Sequence, residues 1–278
     1  MSLPHPRIVS AEILRNDPLT KEIREIVFRL PSDWGPAEPG QFVQVECRPA
    51  DPFVLRRPFS IARTREGSGE LRLHLVFAPV GDGTRALAAC RPGEHTSLVG
   101  PLGRGFRPIP GRRPILVGGG RGVAPLLSLG DQIRKTHPEG LLLFGVRRPD
   151  QLHELEDPAY PIEIATQDGS VGFHGHLLGL LDALLEEGRI RPDSDAIYSC
   201  GPNPMLHALS DWAIARGFPA QVSLETLFGC GFGICAGCAV PVKQSEDEVG
   251  DEFGHYRFAC VDGPVFDAER VDWEGVRE

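Results

Sequence analysis

The stretch GCGFGICAGC, Gly229 to Cys238, limits what this chain can become more than any other. Glycine and cysteine in this density suit neither a regular helix nor a strand. The spacing is Cys230-x4-Cys235-x2-Cys238, then 21 residues, then Cys260. That is the plant-type arrangement of [2Fe–2S] ligands. Two irons bridged by sulfide need four thiolates converging from two sides, so a short loop must wrap one end of the cluster. Gly229, Gly231, Gly233 and Gly237 allow positive φ and let backbone N–H groups point at sulfur. A structural zinc site is the alternative, because zinc also takes four thiolates, though its ligands usually form two close pairs along the sequence. Here one arm carries three cysteines and the other a single one. Iron–sulfur fits the spacing better than zinc, and both remain open at this point. The intervening KQSEDEVGDE reads as a solvated acidic loop, a hairpin tip in form.

Composition excludes several classes of partner. The formal charge is −9 and no basic stripe offsets it, which argues against nucleic acid and against an anionic membrane surface. No apolar run approaches the roughly 20 residues of a membrane span. The start, MSLPHPRIVS, has no signal-peptide apolar core. A cytoplasmic location is expected, where disulfides are rare. The cysteines then divide into three scattered ones, Cys47, Cys90 and Cys200, and the gathered four, which ask for a metal before a disulfide.

Periodicity divides the chain. In QFVQVEC, Val43, Val45 and Cys47 share one face, with Gln44 and Glu46 opposite. In LRLHLVF, Leu71, Leu73, Leu75 and Phe77 share one face, with Arg72 and His74 opposite. Such alternation, broken by Gly and Pro, predicts an antiparallel β-barrel or sandwich. A linker is expected at 107–113, RPIPGRRP. Beyond it, apolar strands (PILVGGG, GLLLFGV, AIYSC) alternate with helical stretches. Pro125 suits a first helical turn, Gly188 a helix end, and Asn203, Pro204 and Gly217 read as N-cap, first helical residue and stop. This alternation predicts a parallel sheet covered by helices. The expected domains are 1–107, 108–222 and 223–278.

Two segments point to nucleotides. In LRRPFSIAR, Arg57 can pair bidentately with a diphosphate, and Ser60 can reach a flavin ring edge; a solvated Arg-Arg pair is the plain alternative. GDGTRAL places Gly81, Gly83 and Thr84 ahead of a short helix, either a phosphate-binding N-terminus or a turn. VGGGRGVAP, at 117–125, ends a strand and opens a helix, where pyrophosphate or nicotinamide binds in parallel sheets. It departs from G-x-G-x-x-G, since its glycines fall at 118, 119, 120 and 122. Cys200 and Gly201 end another strand, and Arg147, Arg148 and Asp168 follow two more, so all five are candidate nucleotide contacts.

In their order, RRPFSI, GDGT, GPLGRGF, VGGGRGVAP, CGPNPML and CGFGICAGC…C resemble the ferredoxin–NADP reductase superfamily. Within it they look like the electron-transfer subunits of the NAD-linked dihydroorotate dehydrogenases. The resemblance covers nearly the whole chain. It implies a Greek-key antiparallel β-barrel for FAD, a parallel-sheet α/β domain for NAD(H) and a small C-terminal [2Fe–2S] domain. Carried over by motif, Arg57, Pro58, Phe59 and Ser60 would contact FAD, with Gly83 and Thr84 at its diphosphate. Gly119, Gly120 and Gly122 would line the nicotinamide site together with Gly201. Cys200 and Ser60 would stand beside the hydride-transfer position, and Cys230, Cys235, Cys238 and Cys260 would hold the cluster. The partner implied is an FMN-bearing dihydroorotate dehydrogenase catalytic subunit, in a heterotetramer. Departures are Phe59, where relatives often carry Ile, Leu or Tyr, Ala78, where many carry Arg, and the long gap before Cys260. The competing expectations are the reductase component of another oxidoreductase complex or an oxygenase, and a non-enzymatic zinc-bearing nucleotide-binding module.

Overall fold

The computed structural model describes residues 6–47, 55–67, 69–243 and 254–276. The first part forms strands β1 (Arg7–Pro18), β2 (Arg24–Leu30), β3 (Phe42–Val45), β4 (Arg57–Gly67) and β5 (Glu70–Phe77). Helix α1 (Asp82–Ala89) and strand β6 (His95–Leu102) follow. The strands close an antiparallel barrel in the order β1-β2-β5-β4-β3-β6. Strands β3, β4 and β5 are consecutive neighbours and β6 returns beside β3, which is Greek-key order. Ile26, Phe28, Val43, Ile61, Leu73, Leu75 and Leu98 fill its core, as the alternation predicts. Two polar residues expected on the solvent face are buried instead. His74 lies 3.0 Å from the Glu25 carboxylate through Nδ1, and Gln44 is 1% exposed. His74 is covered by its Glu25 neighbour on β2 and Gln44 by the cysteine loop, which strand periodicity cannot register.

After the connection at 107–112, strands and helices alternate: β7 (Arg113–Gly119), α2 (Val123–Ile133), β8 (Leu141–Val146), β9 (Ile162–Thr166), β10 (Phe173–His174), α3 (Leu177–Glu186), β11 (Asp195–Cys200), α4 (Asn203–Arg216) and β12 (Ala220–Ser223). These strands pair in parallel. The cap of α4 differs by one residue from expectation: Pro202 is the N-cap, and Asn203 and Pro204 already belong to the helix. The Asn203 side chain clamps the backbone of Glu225 instead, donating from Nδ2 to its carbonyl at 2.7 Å and accepting its N–H at 3.2 Å. Gly217 ends α4 at φ +75°.

The last part carries the cysteine loop, then β13 (Ala239–Pro241) paired antiparallel with β14 (Tyr256–Phe258), then β15 (Val265–Asp267). Strand β15 returns to pair antiparallel with β12, giving a sheet ordered β10-β9-β8-β7-β11-β12-β15. The acidic insert, from residue 244 on, lies outside the described residues. No described helix is long and apolar enough to cross a membrane.

Candidate functional site

On β4, Arg57 and Ser60 are partly exposed while Phe59 is buried. Phe59 packs edge-on against Phe77 in the barrel, with ring centroids 5.6 Å apart. Its side chain is therefore turned away from the flavin expected there, and only its backbone faces outward. Arg57 lies across the first turn of α1. A Cβ on Gly83 would stand 3.1 Å from Arg57 Nε, so glycine at this position lets the guanidinium and the helix N-terminus share one cradle. Thr84 caps that helix: Gly81 N–H donates to Thr84 Oγ1 at 2.9 Å, and the hydroxyl donates to the Gly81 carbonyl at 3.0 Å. With the hydroxyl occupied, the free backbone N–H groups of α1 and the Arg57 charge are what the cradle offers an anion.

A cleft of about 1080 Å³ opens between barrel and sheet. Ala78–Val80 and the β1–β2 turn line it on one side, with Gly119, Gly120, Gly122 and Arg147 on the other. Strands β7 and β11 end side by side, Gly118 opposite Cys200. A Cβ on Gly122 would lie 2.2 Å from the Cys200 carbonyl oxygen, so the turn can close only with glycine. Neither Cys200 nor Gly201 lines the cleft. The Cys200 thiol faces the core, and burial pushes it up to about 12. Asp168 is held in its own turn by the N–H and hydroxyl of Ser170, at 3.1 and 2.6 Å. Those bonds lower its carboxyl from the usual value. Arg148 turns to Asp150, 3.2 Å away. Of these three charged candidates, Arg147 alone reaches the cleft.

The four gathered cysteines stand in two pairs. Cys230 N–H donates to Cys235 Sγ at 3.4 Å, and Cys238 and Cys260 bring their sulfurs within 3.1 Å. Backbone N–H groups of Phe232 and Gly233 donate to Cys230 and Cys260 sulfurs at 3.3 and 3.1 Å. Burial raises the Cys230 thiol, but hydrogen bonds from the Phe232 N–H, from Cys235 and from the Ile234 N–H outweigh it and bring it down to about 7. The hydrogen bond shared with Cys260 brings Cys238 down to about 6, while Cys260 is raised by the same partner. Among the described residues, no three ligand-type side chains are gathered closely enough for a single ion. Two thiol pairs suit two irons, one pair to each.

Residues 10–106 match the family model of the oxidoreductase FAD-binding domain, and residues 225–272 that of the iron–sulfur cluster binding domain of dihydroorotate dehydrogenase B. The dihydroorotate dehydrogenase B (NAD(+)) electron transfer subunit of Caldanaerobacter subterraneus subsp. tengcongensis is 31% identical over 95% of this chain and 98% of its own. That of Bacillus caldolyticus is 37% identical over 84% and 86%. The chain belongs to this family of electron transfer subunits. It is an FAD- and iron–sulfur-dependent oxidoreductase subunit. Iron–sulfur therefore replaces the zinc alternative. A solved structure of an NADH-dependent reduced ferredoxin-NADP oxidoreductase superposes with a TM-score of 0.79 at 28% identity, over 95% of this chain and 90% of that one. A ferredoxin reductase of carbazole 1,9a-dioxygenase shares the fold at 24% identity and a TM-score of 0.65, over 79% and 68%.

The residues fit these cofactors. The Arg57–Gly83 cradle suits a diphosphate, and two pairs of thiols with backbone N–H groups directed at their sulfurs suit iron. Sequence reasoning missed Glu225, His176 and Met205, all of which line the cleft. Glu225 heads the cysteine stretch but carries no motif of its own. It is brought to the cleft by the Asn203 clamp, which reads in sequence as an ordinary helix cap.

Proposed function

We propose that this subunit relays electrons between NAD(H) and an FMN-bearing catalytic subunit that oxidises dihydroorotate for pyrimidine biosynthesis. The observation that carries this reading is the order of the sites along the molecule. The nucleotide cleft lies between sheet and barrel, the flavin motif lies on β4, and β3 separates β4 from the cysteine loop. When bound, FAD exchanges a hydride with nicotinamide and single electrons with a one-electron cluster, chemistry that belongs to the cofactors. The chain supplies position. Arg57, the turn at Gly83 and the backbone of Pro58, Phe59 and Ser60 hold FAD. Gly119, Gly120, Gly122 and Arg147 take the nicotinamide nucleotide, with the backbone of Cys200 and Gly201 bracing that turn from beneath. Cys230, Cys235, Cys238 and Cys260 would hold the cluster. The rim of the cysteine loop is apolar and open to solvent, with Leu227 78%, Phe232 43% and Ile234 85% exposed. Apolar rims of this kind mark interaction surfaces, and we assign this one to the catalytic subunit, in a heterotetramer working in the cytoplasm.

The test is reconstitution. NADH reduces the FAD of the isolated chain, and the chain alone does not oxidise dihydroorotate. Adding the FMN-bearing subunit from the same genome yields dihydroorotate-dependent NAD⁺ reduction. Cys235→Ser blocks that coupled reaction and spares NADH-to-FAD transfer. Turnover of dihydroorotate by the purified chain alone would sink the subunit reading. The likeness to the NADH-dependent ferredoxin-NADP oxidoreductase favours a second reading, in which the same module serves a different oxidoreductase partner. Co-purification of a partner without dihydroorotate activity selects it.

A further inference from the structure

Strand β3 sends two side chains out of the barrel toward the cysteine loop. Phe42 packs on Phe228, with ring centroids 4.7 Å apart. Gln44, two residues on, is buried at 1% exposure although its strand alternation places it in solvent. Its Nε2 faces the Gly229 carbonyl at 3.5 Å. Its Oε1 is buried with no hydrogen-bond partner. Gly231 leaves room for this amide: a Cβ there would stand 3.1 Å from both Gln44 Cγ and Nε2, at a backbone φ of +82°. Across the barrel sheet, Gln44 is in register with Pro58, and Phe42 with Ser60. One buried carboxamide thus stands between the strand that carries the flavin motif and the loop turn Gly229-Cys230-Gly231.

A buried amide with an unmade hydrogen bond is unfavourable, and an apolar side chain of the same volume fills the space without that penalty. The polar group therefore calls for a role beyond packing. We propose that Gln44 is a positioning residue for electron transfer between cluster and flavin. Its amide holds the Cys230 turn at a fixed place against the flavin strand, and its dipole acts on the Cys230 side of the cluster, where nearby hydrogen bonds and dipoles tune the potential. The step concerned moves one electron from one cofactor to the other, with no bond made or broken. This inference rests on the proposed placing of FAD at β4 and of the cluster at the four cysteines.

The test uses the full chain loaded with both cofactors, as wild type, Gln44→Leu and Gln44→Glu. Iron and FAD contents check loading. Stopped-flow absorbance separates FAD reduction by NADH from the later cluster reduction. An EPR-monitored redox titration gives the cluster's potential and g-values. In Gln44→Leu we expect unchanged FAD reduction, a cluster phase slower by about tenfold, the scale of lost outer-shell contacts, and shifted g-values. Gln44→Glu keeps the shape and adds negative charge, so the cluster becomes harder to reduce. If Gln44→Leu loses iron and Gln44→Glu retains it, the holding role stands. Wild-type potential, g-values and cluster rate in both variants would overturn the proposal, as would equal iron loss in both with FAD retained. A wild-type chain without an iron–sulfur EPR signal points instead to failure of the underlying cluster assignment.

Discussion

Cys200 shows how a conspicuous side chain can matter through its backbone. Its thiol is buried and pushed up to about 12 by desolvation, so it stays protonated at pH 8. A neutral buried thiol is a poor nucleophile. In the native chain, iodoacetamide at pH 8 should leave Cys200 unmodified until denaturant is added; peptide mapping reads this, and labelling of Cys200 in the folded state would contradict its placement. The group ordinarily titrates near 9.0. It contributes no pH dependence below that value and costs stability as pH rises past it, because only the unfolded chain releases the proton. Arg57 acts through its charge. Arg57→Ala should weaken FAD retention by about 1.5–3 kcal/mol, the range for a hydrogen bond to a charged group, or roughly ten- to over a hundred-fold in affinity. Equilibrium dialysis against FAD measures it, and undiminished affinity would leave Arg57 without a flavin role. Residue types at the site were legible in the sequence, since arginine, glycine and cysteine each bring a distinct chemistry. Sidedness was not. Phe59 and Cys200 face a direction set by a neighbouring segment distant in sequence, while Gln44 points outward as its alternation predicts and is buried there by the cysteine loop.

Elements were legible where one period dominates. The change from alternation to helix–strand repeats at 107–113 follows directly from whether one face or both faces of a sheet are covered. The return of β15 to β12 carries no such signal, because a three-residue strand is too short to show a period. The turn from β7 into α2 is where local sequence and packing meet. Gly122 opens it, and the Cys200 carbonyl fills the place of its missing side chain. Gly122→Ala must push β11 and this turn apart. A cost of about 1–3 kcal/mol is expected for overpacking, seen as a lower thermal midpoint, together with slower FAD reduction by NADH. FAD content should hold, since the barrel core is a separate cluster of side chains. Gly120 makes a contrast: nothing lies within 4 Å of its Cβ position, but its φ is +53°. Gly120→Ala should cost only about 1 kcal/mol, the backbone penalty for a left-handed residue. Equal damage from both substitutions would mean that crowding is not what selects glycine at 122.

At the scale of the whole molecule, function depends on how barrel and sheet are held across the cleft, and one buried arginine dominates that junction. Arg63, on β4 below the flavin motif, is 5% exposed. Its Nε lies 2.7 Å from Asp131 Oδ2 on α2, the helix that starts at the nucleotide turn. Its remaining nitrogens donate to the Glu156 and Asp157 carbonyls, the latter at 2.8 Å. Arg148 with Glu22 at 3.8 Å and Gln151 with Glu22 at 3.1 Å also cross the junction, but are exposed. Exposed pairs of this kind contribute about 0–1 kcal/mol, whereas stripping a buried charge of its partner costs more, up to about 3–5 kcal/mol. Among the described residues, this pair is thus the most buried ionic tie between the flavin strand and the nucleotide helix. Hydride transfer requires the two rings within contact distance, and small misplacements are costly there. Arg63→Met keeps the bulk of the stem and removes the tie, leaving the Asp131 charge without its partner. It should lower the thermal midpoint and slow FAD reduction at saturating NADH, with FAD content intact because the Arg57–Gly83 cradle lies within the barrel. Adding Asp131→Leu removes the stranded charge and should restore much of the stability but not the rate, since packing returns while alignment does not. Full recovery of both in the double variant would show that the pair is structural ballast and that the domains find their alignment without it.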